Sequence, residues 1–153
     1  MRPQRVFLLP IAIAALAGAE ELPTKRVLTL AAASRVAAAA EAEAVRRGKP
    51  VVVAVVDDGG HLIVLRRLDD TQVASVEVGI GKARTAAIFR RPSAVFEEQV
   101  KSGRIVALGL PGATPLQGGI PLVVDGRCVG AIGVSGDTPQ VDEDIAKAGA
   151  AAL

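Results

Sequence analysis

Few side chains in this sequence could do chemistry, and they are thinly spread. His61 is the one imidazole among 153 residues. It follows Gly59-Gly60 at the start of an apolar run, where a ring nitrogen could serve a metal centre; a solvent-facing turn residue is the plain alternative. One histidine excludes a bis-His site within one chain, a three-His zinc site and the HExxH pattern. Lys82 and Arg84 lie on a helical run that Arg90 and Arg91 close. Such cations pair with ligand carboxylates, or else form a solvated helix face. Thr114, Gln117, Gly118 and Gly119 belong to the Gly/Pro loop GLPGATPLQGGIP beginning at Gly109. Its Pro-flanking peptides are restricted, and the Gly118 and Gly119 amides could form an anion-binding nest. The same loop could simply close a sheet edge or contact a second subunit. Cys128 is the single thiol, so it forms no intrachain disulfide. Its strand context fits a small buried side chain, with a reactive thiol or soft metal ligand as the rival.

Other chemistries find no support. Ser135 sits in Gly133-Val134-Ser135-Gly136, which lacks the spacing of a nucleophile elbow, and no oxyanion motif accompanies it. The carboxylates at Asp57-Asp58 and at Asp142–Asp144 are explained by turn formation and by the charge preference of a helix N-terminus. There is no phosphate-binding GxxxxGK[ST] loop, and Gly79-x-Gly81 alone is not a dinucleotide signature. No nucleophilic or acid–base machinery marks an enzyme. Three Phe, no Tyr and no Trp leave no stacking platform for single-stranded nucleic acid.

The N-terminus reads as a signal peptide over 1–19. Arg2 and Arg5 precede an apolar run from Val6 to Ala17, and Ala17-Gly18-Ala19 offers small residues for cleavage. A run of this length is too short for a stable membrane span. The whole chain carries 18 Lys+Arg against 16 Asp+Glu. The leader holds two of those arginines and no acid, so the mature chain is balanced and has no basic excess to draw it to nucleic acid or anionic membrane. The expected location is periplasmic or secreted, with 20–153 forming a single domain.

The elements that would position these residues follow from periodicity and punctuation. A helix fits 30–47, with Thr29 as N-cap, Gly48 just beyond and Leu30, Ala33, Ala37, Ala40 and Ala44 on one stripe. Residues 51–56 and 61–68 form a hairpin about Asp57-Asp58-Gly59-Gly60. Asp69-Asp70-Thr71 offers caps to a helix over 72–90 with Val73, Val76, Ile80, Ala83 and Ala87 on its apolar face. A short helix fits 94–102, and 104–108 reads as a strand entering the Gly/Pro loop. A second hairpin spans 120–124 and 127–135 across Asp125-Gly126. Thr138 and Pro139 open the last helix. Five strands with two hairpins make an α+β domain with a largely antiparallel sheet and helices packed on it.

With those residues in view, the chain resembles the GlcG/HbpS-like family, the haem-degrading domain family related to the C-terminal domain of PduO-type proteins. The resemblance rests on Val55-Val56-Asp57 with Gly60-His61-Leu62 and Arg66-Arg67, and on Gly81-Lys82-Ala83 with Thr85-Ala86-Ala87. It rests most on Pro111-Gly112, Pro115-Leu116-Gln117-Gly118-Gly119-Ile120-Pro121 and Gly130-Ala131-Ile132-Gly133-Val134-Ser135-Gly136. It covers roughly 28–152. One departure stands out: Arg67-Leu68-Asp69-Asp70-Thr71 replaces the Met and Asp-Gly-Ala turn more usual in the family.

The resemblance implies a profilin- or PAS-like layered domain, homo-oligomers, and haem as the leading small-molecule ligand. On that implication His61 is the candidate for haem iron, and Lys82, Arg84, Thr114, Gln117, Gly118 and Gly119 are the candidate ligand contacts. Any haem breakdown would be iron-driven oxidation. Two alternatives stand beside it. One is an enzyme or enzyme-accessory domain binding a small hydroxy- or oxo-acid through Lys82 and the Gly118-Gly119 amides. The other is a structural oligomer without a ligand.

Overall fold

The computed structural model describes residues 21–153; the expected leader lies outside them. The order is α1 (Leu30–Arg46), β1 (Val52–Asp57), β2 (Leu62–Arg67), α2 (Ser75–Phe89), α3 (Ala94–Lys101), a 3-10 turn (Ile105–Gly109), β3 (Gly119–Val124), β4 (Arg127–Ser135) and α4 (Pro139–Ala150). The sheet is antiparallel with strand order β2-β1-β4-β3. The domain is therefore α+β, as its punctuation implies. No helix among the described residues is long and apolar enough to cross a membrane.

The sheet has four strands rather than the expected five. Residues 105–109, read from the sequence as strand, close instead into the 3-10 turn. Their backbone is satisfied locally: the Ala107 N–H donates to Arg104 O and the Leu110 N–H to Ala107 O. Only Ala107 is buried there, while Ile105, Val106 and Leu108 are exposed. Despite its β-rich composition the segment pairs with neither edge of the sheet, β2 or β3. Edge strand β3 carries Pro121, which has no N–H to offer a further neighbour.

Local chemistry explains most boundaries. The Thr29 hydroxyl accepts the Ala32 N–H at 3.2 Å to start α1. Thr138 does the same for Val141 at 3.4 Å ahead of Pro139. The first hairpin turns on Asp57, whose Oδ1 accepts the N–H groups of Gly59 (2.9 Å) and His61 (2.8 Å). The second turns at Asp125 and Gly126, both with positive φ (49° and 73°), as a two-residue turn of this hand requires. Helix α2 starts later than expected. Thr71 does not cap it but donates its hydroxyl to Leu68 O at 2.7 Å, and Val73 is exposed.

Strand alternation splits the core into two faces. Val51, Val53 and Val55 join Ile132 and Val134 under α1 and α4, packing with Val36, Ala37, Ala40 and Ile145. Ala54, Val56 and Ala131 face α2 through Ala83, Ala86 and Ala87. On that side the separation between layers is set by glycine. A Cβ on Gly133 would overlap Gly79 O, Ala83 N and Ala83 Cβ, so helix and strand backbones lie almost in contact. Gly133→Ala is expected to force α2 off β4 and to cost about 2 kcal/mol or more, read as a lower urea midpoint.

Candidate functional site

The residues singled out in the sequence do not line one concave site. The structure distributes them over two places along α2, with Arg90 and Cys128 apart from both on a cavity wall. Lys82 is buried: its Nζ donates to Asp142 Oδ2 at 2.8 Å and to Val134 O at 3.0 Å. The two charged side chains are 5% and 3% exposed, so the pair is sealed from water. Gly118 caps it. At φ +123°, a Cβ there would stand 3.0 Å from Lys82 Nζ and 2.8 Å from Val134 O. A Cβ on Gly119 would strike the Lys82 carbonyl, and the Gly119 N–H donates to Ser93 Oγ at 2.8 Å.

The rest of the Gly/Pro loop is fastened in the same manner. The Thr114 N–H donates to Thr85 Oγ1 at 2.6 Å, and that hydroxyl donates to Gly81 O at 2.8 Å. The Gln117 N–H donates to the Glu97 carboxylate, and its side-chain amide reaches Gln140 Oε1 at 3.2 Å. Burial raises the Glu97 carboxyl, but Lys101 and the Gln117 N–H outweigh it and hold the group below its ordinary value. The amides of Thr114, Gln117 and Gly119 are thus occupied by the protein's own oxygens.

His61 and Arg84 meet at the second place, the turn of the first hairpin. Arg84 Nε donates to Gly60 O at 3.3 Å, and its Cγ would be 2.7 Å from a Cβ on Gly60. His61 is exposed beside them.

A cavity lies past that turn, toward the tip of the second hairpin. It holds about 580 Å³ and is walled by Lys25, Arg26, Asp58, Arg90, Arg127 and Cys128, with Val123 and Val129 as apolar surface. This volume falls within the range of small-molecule sites. Lys25 pairs with Asp58 at 2.6 Å and Arg26 with Asp125 at 2.6 Å. Arg90 and Arg127 form no ion pair among the described residues. The Cys128 thiol is half-buried and contacts Gly130 O at 3.2 Å. No cluster of three metal-ligating side chains occurs among the described residues. Donor chemistry and shape together suit an apolar body bearing carboxylates.

Sequence reading missed two features. Asp142 was assigned to helix-terminus charge, whereas it neutralises Lys82. The signal was available: Lys82 is flanked by Gly79, Ala83 and Ala86, a stripe of small residues that buries whatever joins it. Lys25, Arg26 and Arg127 reach the cavity through chain reversals that no local pattern encodes.

Residues 28–151 match the family model described as haem degrading protein HbpS-like. Protein GlcG of Escherichia coli is 45% identical over 114 residues, covering 74% of this chain and 85% of GlcG. A double mutant of Streptomyces reticuli HbpS superposes with a TM-score of 0.82 at 35% identity, covering 94% of this chain and 99% of that one. A PduOC:heme complex superposes with a TM-score of 0.76 at 28% identity, covering 84% and 96% respectively.

The buried pair makes its own prediction. Lys82→Met leaves Asp142 without its cation and is expected to cost about 3–5 kcal/mol, most of it recovered in Lys82→Met/Asp142→Leu, by chemical denaturation. Burial already pushes the Asp142 carboxyl above its usual range, opposed by Lys82 and by the N–H groups of Asp137 and Gly136. A folded-state pKa above the unfolded one means that ionisation costs stability. That cost is absent below the unfolded pKa and complete above the folded one. The deficit of Lys82→Met is therefore expected to shrink as pH falls into the acid range.

Proposed function

The chain belongs to the HbpS-like family, and from that membership we propose that it is an exported haem-binding protein whose site is the 580 Å³ cavity. The carrying observation is the cavity's donor set. Two arginines without ion-pair partners among the described residues, Arg90 and Arg127, flank an apolar wall of Val123 and Val129. Guanidinium groups suit the two carboxylates of haem, and the valines suit its ring. Haem supplies a redox-active iron open to peroxide-driven oxidation, the chemistry by which a haem-degrading protein would act. This chain's residues would bind and orient the guest.

His61 is the proposed iron ligand. It does not line the cavity, but it is exposed on the turn whose Asp58 does, so it would reach a guest from the rim. The Cys128 thiol, on the wall itself, is the second donor of suitable kind. The expected leader over 1–19 would place this site in the periplasm or outside the cell. Exposed Ile105, Val106 and Leu108 form an apolar surface suited to self-association. The small-acid reading draws less support, because the Lys82 ammonium and the Gly119 N–H that it requires are already bonded inside the protein.

Titration with haem is expected to saturate at one equivalent with a shifted Soret band. Arg127→Ala is expected to weaken binding about tenfold, the scale of one charge-assisted contact in an open site. His61→Ala is expected to move the band. If Cys128→Ala moves it and His61→Ala does not, the thiol is the ligand. An unchanged spectrum at stoichiometric haem overturns the proposal.

A further inference from the structure

Arg90 adopts a backbone conformation that its residue type disfavours. It terminates α2 with φ 55° and ψ 38°, in the left-handed region. That position at a helix end is normally given to glycine, because a Cβ there crowds the chain. The other end residues of this kind follow the rule: Gly48 and Gly103 have φ of 63° and 95° just past α1 and α3. No hydrogen bond or ion pair among the described residues calls for an arginine there. Its backbone N–H bonds to Ala87 O at 3.3 Å, which a glycine would do equally well. Its guanidinium makes no hydrogen bond or ion pair among the described residues, and it is exposed on the cavity wall. The adjacent Arg91 differs in each respect. Its Nε donates to Phe89 O at 3.3 Å, and its guanidinium lies 5.8 Å from the Phe96 ring centroid.

The charges of the cavity sharpen the point. Lys25 and Arg26 are each neutralised by an aspartate, Asp58 and Asp125. Arg90 and Arg127 supply the remaining positive charge, which calls for two carboxylates on the guest. Resting on the haem reading above, we infer that Arg90 is the specificity-determining carboxylate anchor of this cavity, retained against the conformational preference of its own backbone. The class of guest it selects is a flat apolar dicarboxylate, and masking those carboxylates should remove the selection.

Iron-free probes test this without axial ligation. Protoporphyrin IX and its dimethyl ester are titrated, by absorbance and fluorescence, into the wild-type protein, Arg90→Gly and Arg90→Lys, and thermal midpoints are recorded without ligand. The wild type is expected to bind the free acid about tenfold more tightly than the ester. Arg90→Gly is expected to keep only the smaller preference that Arg127 supplies, while melting at or above the wild-type midpoint, because glycine relieves the left-handed strain. Arg90→Lys should keep part of the preference, since it retains charge without the bidentate fork. An undiminished tenfold preference in Arg90→Gly overturns the inference and leaves haem binding intact. A midpoint several degrees below wild type in Arg90→Gly overturns it too, by making the residue structural. A wild-type protein that binds neither porphyrin overturns the haem reading and this inference together.

Discussion

Lys82 and Asp142 hold the three layers of this domain in register. The ammonium rises from α2 on one face of the sheet and meets a carboxylate from α4, whose body packs on the other face. It also takes the carbonyl of Val134, on β4 between them. Two charges removed from water cost several kcal/mol each unless fully partnered, so this pairing constrains everything near it. The Gly118 backbone can pass over it only because no Cβ intervenes, and Gly119 then enters β3 against the Lys82 carbonyl. The loop therefore has little freedom. Its Thr114, Gln117 and Gly119 amides are consumed by Thr85, Glu97 and Ser93, and Gly118 and Gly119 serve close approach of backbones within the protein.

That constraint relocates the binding chemistry. A Gly/Pro loop rich in polar groups looks like a ligand cradle when the chain is read in isolation. In the fold it is a brace, and its rigidity fixes the ends of α2 and β3. The open volume lies beyond the far end of α2, between the two hairpin turns and the segment leading into α1. There the charges are solvent-facing and partly unpaired, the condition a carboxylate guest needs. The buried cation and the cavity's cations are thus different residues: Lys82 inside, Arg90 and Arg127 at the rim.

The two hairpins and the helix ends were legible in the sequence because their causes are local. Asp57 satisfies its own turn, Asp125-Gly126 adopts the hand that its strands demand, and Thr29 and Thr138 each cap the helix that follows them. The strand expected at 104–108 is instead a 3-10 turn closed by its own backbone hydrogen bonds, joining neither sheet edge. The start of α2 was misplaced because Thr71 turned its hydroxyl back to Leu68 instead of forward. Of the candidate residues, His61 and Arg84 lie together at the turn by Gly60, while the Thr114, Gln117 and Gly119 amides of the Gly/Pro loop are bonded within the protein.

The sequence by itself determined the family, the α+β class, both hairpins and the identity of the scarce functional groups: one imidazole, one thiol and a set of cations. Those follow from residue type and short-range pattern. Only the tertiary structure decided which cations are spent inside and which face a cavity. Burial and pairing are properties of residues far apart in the chain, as with Lys82 and Asp142, 60 positions apart. A guanidinium and an ammonium a few residues apart on one helix look alike in sequence, and the layers packed around them bury one as a brace and leave the other on a cavity wall.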